Sequence, residues 1–252
     1  MPRKGQTLNR KITQQILKAS SQLPTIGERL KFISAQFIGK PYIIGPLIGS
    51  DTEPEVFTAT YDGFDCVTYL ETCLALAWAK QDDEVNDLLR AIRYRNGNVQ
   101  WEDRLHYTTD WHKYHVKRGA FTDVTRGDDT LSRTKEINFL KCFAPRTITF
   151  RYFPKRKLNK VSKQFRDGDL IYFASTRKGL DTFHVGLLVW VNGKLMLRHS
   201  AKSKGGVVEQ ELAEFVKVNT MPGFIIARPK ESIDGKKIFV HEVARREHEE
   251  RQ

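Results

Sequence analysis

Cys66 stands in the run Tyr-Asp-Gly-Phe-Asp-Cys-Val-Thr-Tyr-Leu-Glu (61–71), directly after turn-forming residues and at the head of a long apolar segment. A cysteine there is either inert packed sulfur or a nucleophile. A helix N-terminus and a nearby imidazolium both favour thiolate, the attacking species, so the question is whether a histidine reaches it. His184 and His199 flank Asn192-Gly193, the strongest short hairpin signal, because both turn positions need positive φ. If Val191 faces Lys194, counting outward sets Gly186 opposite His199 and His184 opposite Ala201. The two imidazoles then share one sheet face as diagonal neighbours, about 7–8 Å apart at Cα. Gly186 leaves room beside the His199 ring. In such a constellation Cys66 attacks, and His184 serves as base and then as acid to a leaving amine. His199 holds the ring in its useful tautomer, and N–H groups at the helix start receive the oxyanion.

These side chains need a buried helix and a hairpin to bring them together. From Cys66, "CVTYLETCLALAWAK" is apolar on nearly all sides, which marks a core helix whose start is set by Asp62-Gly63 and Asp65. Leu188, Trp190, Leu195 and Leu197 extend the histidine face, so this side of the hairpin should lie against the core with the Cys66 helix packed on it. Upstream, 10–22 and 26–38 read as amphipathic helices, the second with Ile26, Leu30, Ile33 and Phe37 on one stripe, stopped by "GKP" at 39–41. The Gly- and Pro-rich stretch that follows is loop with room for one short strand. A further helix is expected in "DDEVNDLLRAIRYRNG", with acidic residues in its first turn and Gly97 past its end. Residues 98–150 read as irregular, with a helix around 132–140. After "RDGD" (166–169) the pattern alternates, giving an antiparallel meander.

The 252 residues, 40% of them hydrophobic, suffice for one large domain with a core at about 26–230, an insertion at about 82–160 and a charged tail from about Arg245. The longest apolar runs are about half the ~20 residues a membrane-spanning helix requires. The basic N-terminal stretch shows no signal peptide, so export is either not encoded here or a leader has been removed. Three cysteines exclude a disulfide scaffold. Cys66 and Cys73 would be separated by about 10.5 Å of helical rise, beyond the ~7 Å limit for a bridge. Cys73 and Cys142 read as core packing. The net charge of +12 attracts anionic polymers in general, but no nucleic-acid motif accompanies it, and a solvated basic face is expected. "HKYH" with His106 lacks ligand spacing, so no metal or cofactor is expected.

A cysteine followed much later by histidine and a polar third group is the chain order of papain-like enzymes. With "IGKPY", "FDCVTYLE", "GDLIYF", "FHVGLLV" and "LRHSA" in this order, the chain resembles the NlpC/p60 superfamily of cell-wall hydrolases. "DCVTYLETCLALA" and "RLHYTTDW" (104–111) further resemble the N-acetylmuramoyl-L-alanine amidase-like family, the likeness covering roughly 26–210. The resemblance implies an α+β papain-like (NlpC/p60) fold, helices on an antiparallel sheet, with the nucleophile Cys66 at a helix N-terminus, base His184 and third residue His199. It also implies Tyr42 beside the thiol and a substrate groove including Asp65, Tyr107, Trp111 and Ser200. The substrate implied is peptidoglycan or its fragments, in the periplasm or outside the cell. The bond expected to be cut joins the muramoyl lactyl group to L-alanine. The bond between D-glutamate and the diamino acid, or a non-catalytic module holding anionic wall polymer, are the alternatives. Arg198 and Lys202 are candidate ligands for free carboxylates on the substrate.

Overall fold

The computed structural model describes residues 8–140 and 143–233, so Cys142 and the charged tail from about Arg245 lie outside the described residues. In chain order the elements are α1 (Arg10–Ser20), α2 (Ile26–Ala35), α3 (Cys66–Trp78), α4 (Glu84–Arg93), α5 (Thr108–Lys117), β1 (Phe121–Asp123), β2 (Leu131–Ile137), β3 (Arg146–Pro154), α6 (Leu158–Val161), β4 (Leu170–Ala174), β5 (Thr182–Val191), β6 (Lys194–Ala201), β7 (Gly206–Glu211), α7 (Leu212–Val218) and β8 (Gly223–Pro229). Eight strands form one sheet in the order β2-β3-β8-β4-β5-β6-β7, with β1 also paired to β8, and every pairing is antiparallel. Among the described residues no helix is long and apolar enough to cross a membrane.

Local chemistry fixes the helices that matter here. Thr25 and Glu28 form a reciprocal capping box at the start of α2, and Ile26, Leu30, Ile33 and Phe37 are all buried as its stripe requires. Asn192 and Gly193 both adopt positive φ (48° and 76°), and Val191 pairs with Lys194. The hairpin register is therefore the one the dipeptide demands.

The sheet separates two apolar layers. On one side Tyr69, Leu70 and Cys73 of α3 pack with Val185, Leu187 and Val189 of β5. On the other, Leu188 and Leu197 pack with Leu212, Phe215 and Val216 of the α7 segment and with Leu158, Val161 and Phe165. His184 pairs across β4 with Phe173, a member of this second layer. The expectation that α3 packs on the histidine face is thus corrected: it covers the opposite face. Both faces of β5 are apolar, so alternation identifies the faces without deciding which helix covers which.

Most of the region expected to be helical at 132–140 is strand β2, which ends at Ile137. Its alternation is polar: Arg133, Lys135 and Ile137 turn inward while Ser132, Thr134 and Glu136 are exposed. The Thr134 and Thr149 hydroxyls bond across the ladder at 2.9 Å, and the Lys135 ammonium donates to the Ser175 and Leu180 carbonyls.

Candidate active site

Cys66 is the first residue of α3 because Asp65 caps that helix. The Asp65 Oδ1 atom accepts from the N–H groups of Val67 (3.1 Å) and Thr68 (2.8 Å), and the Asp65 N–H donates to Thr68 Oγ1 (3.1 Å). The Ser200 hydroxyl donates to the Phe64 carbonyl at 2.7 Å, tying the turn before the cysteine to β6. Gly63 is required there, since a Cβ would come within 2.5 Å of the Pro41 carbonyl oxygen. That approach carries the "GKPY" loop against the turn, where Tyr42 bridges to Phe64. Burial raises the Tyr42 phenol, and Cys66 and Asp65 raise it further, so Tyr42 is within electrostatic range of the sulfur.

The two histidines meet as the hairpin predicts. His184 Nε2 and His199 Nδ1 are 2.5 Å apart, with ring planes at 80°. A Cβ on Gly186 would sit 2.4 Å from Leu197 Cδ1 and 3.2 Å from His199 Cβ, so the glycine leaves room for the Leu197 side chain and the base of His199. Phe173 and Phe215 stack on His184, and Phe215 meets His199 edge-on at 5.3 Å. This apolar cage keeps both rings neutral. Burial, then His199, pushes His184 down to about 3. Burial pushes His199 down to about 4, against the Gln210 side chain, which raises it, and with Lys204, which lowers it.

Cys66, half-buried, lies at the same end of the hairpin. Pairing of β5 with β6 ends at Leu187↔Arg198, although β5 stays paired to β4, and β6 to β7, well beyond that point. Where the two strands part, the Val185 backbone N–H is near enough to the Cys66 sulfur to favour its thiolate. A strand N–H lies in the sheet plane, so this influence sets the sulfur toward the opening of the ribbon, near the residue after His184. Burial and then Asp65 push the Cys66 thiol up to about 12, against the lowering effect of the Val185, Cys66 and Val67 backbone groups. The expected low thiol pKa is corrected accordingly. Desolvation outweighs the helix N-terminus, and two caged neutral imidazoles supply no cation.

Other sequence candidates are distributed differently. Trp111 is buried, with its indole N–H donating to the Ile92 carbonyl at 2.8 Å and its ring against Phe121 and Tyr172. Tyr107 is buried too, its hydroxyl accepting from the Leu140 N–H. Both are corrected from groove lining to core anchors, the apolar ring area outweighing the polar handle. Arg198 faces α2: its guanidinium bonds Glu209 at 2.7 Å, Ser34 Oγ at 2.9 Å and the Lys31 carbonyl. Buried there, it offers nothing to a substrate carboxylate. Lys202 is exposed in the turn after β6. His106, His112 and His115 have separate partners, the Trp101 carbonyl, Asp123 and the Ile92 carbonyl.

Sequence reading missed the group that docks the "RLHYTTDW" segment. Buried Asp181 accepts from the Thr109 N–H (2.7 Å) and hydroxyl (2.9 Å), capping α5 from the start of β5, three residues before His184. The only signal was "LDTF" between two strands, indistinguishable from an ordinary turn.

The arrangement can be set against known proteins. No curated protein matches the chain. A Legionella pneumophila protein of the DUF1460 family is 25% identical with a TM-score of 0.76, the match covering 88% of this chain and 96% of that one. An N-acetylmuramoyl-L-alanine amidase from Bacteroides uniformis is also 25% identical, with a TM-score of 0.71 over 81% of this chain and 99% of its own. The family model for AmiA-like, N-acetylmuramoyl-L-alanine amidase-like proteins matches residues 32–224, a span that contains Cys66, His184 and His199. The chain belongs to the AmiA-like, N-acetylmuramoyl-L-alanine amidase-like family.

Proposed function

We propose that the protein is a cysteine amidase of papain-like, NlpC/p60 type that hydrolyses the bond between N-acetylmuramic acid and L-alanine in peptidoglycan fragments. The observation that carries this reading is the 2.5 Å pair of His184 and His199, next to Val185, whose backbone N–H favours the Cys66 thiolate, in a chain of the amidase-like family. This reading includes a working compartment in the periplasm or outside the cell.

The neutral resting groups define the chemistry. His184 Nε2 is engaged with His199, so Nδ1 is the nitrogen available to the thiol. His184 takes the thiol proton as Sγ attacks the lactyl carbonyl carbon, rather than waiting beside a preformed thiolate. The imidazolium so formed gives its proton to the alanine nitrogen as the C–N bond breaks, leaving a thioester on Cys66. Water, deprotonated by His184, then releases the lactyl carboxylate and restores the thiol. Val67 and Thr68 N–H groups are taken by Asp65. The Cys66 N–H and the Tyr42 phenol therefore serve as oxyanion donors.

Digestion of defined muropeptides, followed by mass spectrometry, tests the assignment. Release of intact stem peptide beginning with L-alanine is expected. Products cut between D-glutamate and the diamino acid would instead identify an endopeptidase built on the same residues. Undiminished wall-polymer binding with no hydrolysis at all would identify a binding module.

A further inference from the structure

Strand β7 puts another polar group on the histidine face. His199 faces Val208 and Leu197 faces Gln210, which makes Gln210 a diagonal neighbour of His199 on the same side of the sheet. Among the described residues the buried Nε2 atom of His199 has no direct hydrogen-bond partner, and the Gln210 side chain is near enough to this ring to favour its protonation. The other ring nitrogen, Nδ1, is the one that meets His184. Val208 and Phe215, also beside His199, are apolar, and the Lys204 side chain carries donors only.

Two neutral imidazoles sharing one hydrogen bond have two proton arrangements. With the His199 proton on Nε2, its Nδ1 is a lone pair, His184 donates from Nε2, and His184 Nδ1 is a free base. With the His199 proton on Nδ1, His184 must accept at Nε2, and its own Nδ1 carries hydrogen and cannot take another proton from the thiol. A buried N–H without an acceptor is costly, so the acceptor at the far end of the pair selects between them. We propose that Gln210 is a positioning residue whose amide oxygen receives the His199 Nε2–H and so holds His184 in the tautomer with a free Nδ1. The catalytic consequence rests on the reading of His184 as the base; the tautomer itself is a property of the folded protein without substrate.

Histidine ring 15N shifts, recorded on the wild type, Gln210→Met and Gln210→Glu, test this. In the wild type both rings should be protonated at Nε2. Methionine keeps the length with only a weak thioether acceptor, so protons should move to Nδ1, with kcat lower by at least about 10-fold and KM changed less than about twofold. Glutamate can only accept; above neutral pH, where His199 is uncharged, it should restore the wild-type shifts and most of kcat. Wild-type shifts and kcat in the methionine variant, or glutamate shifts matching methionine, would overturn the assignment. A wild-type protein with both protons on Nε2 and no hydrolysis of any muropeptide would remove the amidase reading while upholding this one.

Discussion

His184 Nε2 lies 2.5 Å from His199 Nδ1, yet the two rings come from positions 15 residues apart and are joined by a hairpin whose turn is Asn192-Gly193. Their contact fixes which nitrogen of His184 is free. Removing His184 should therefore lower kcat by about 100-fold or more, and removing His199 by less, since an orienting group contributes less than the base. Gly186→Ala should also lower kcat, by less than the His184 loss, because its Cβ would crowd the Leu197 side chain and the His199 Cβ. Initial rates on a defined muropeptide check all three, and a fully active His184→Ala protein would eliminate the proposed base.

Cys66 and Cys73 lie two turns apart on one helix with opposite expectations. Cys66→Ala should abolish turnover and leave the melting temperature near the wild type. Cys73, fully buried against Tyr69, should cost about 1–3 kcal/mol when replaced by alanine while activity per folded molecule persists. Mass spectrometry of products and chemical denaturation separate the two; equal activity in both variants would contradict the assignment.

The Cys66 thiol, pushed up to about 12 by burial and by Asp65, should react slowly with iodoacetamide at neutral pH and faster only under alkaline conditions. Replacing Asp65 by Asn keeps a capping acceptor while removing the charge, and should shift the labelling profile toward lower pH. Mass mapping of alkylated peptides reads both. Complete labelling at pH 6 within the time needed at pH 9 would indicate an ion pair instead of neutral groups.

Arg198 is tied to Glu209, Ser34 and the Lys31 carbonyl. Arg198→Met should cost about 1–3 kcal/mol of stability, discounted because Glu209 remains partly solvated, and should leave KM unchanged for muropeptides with free carboxylates. A raised KM at native stability would return Arg198 to the substrate groove.

Burial holds three histidines neutral in the fold: His115 toward about 4, His184 toward about 3 and His199 toward about 4. An unfolded imidazole titrates near ~6.5, so below that pH the unfolded chain binds more protons than the folded one. Their contribution is complete above about pH 6.5 and is lost progressively as the pH falls toward 4. Calorimetry should show the melting temperature dropping across that interval. The slope should be shallower in His115→Gln, whose amide can still donate to the Ile92 carbonyl. A flat profile would contradict the neutral cage.

Much of the site was legible because it is written in local signals. Asp65 at a helix start, the stripe of α2, and the Asn-Gly turn each act over a few residues, and the register that joins His184 to His199 follows from the turn by counting. What stayed hidden depends on packing between distant segments. Val185, Leu187 and Val189 are as apolar as Leu188 and Leu197, so nothing in the alternation told which face α3 covers. Trp111 and Arg198 carry polar atoms that suit a groove or a core equally well, until Ile92 and Glu209 claim them. The neutral state of the thiol and imidazoles follows from desolvation, which exists only after the layers close. Strand β2 alternates Arg and Lys with Ser, Thr and Glu, and its edge position removes the apolar rhythm by which strands are recognised.

The last described strand, β8, is inserted mid-sheet, where it pairs with β1, β3 and β4. A nascent chain leaving the ribosome can form the β2–β3 ladder and the β4–β7 ribbon early, but these remain two unjoined pieces until residues 223–229 emerge and zip between them. The sheet therefore closes only after every other described strand has been made, and a chain released before that point would expose two strand edges at once, a template for self-association.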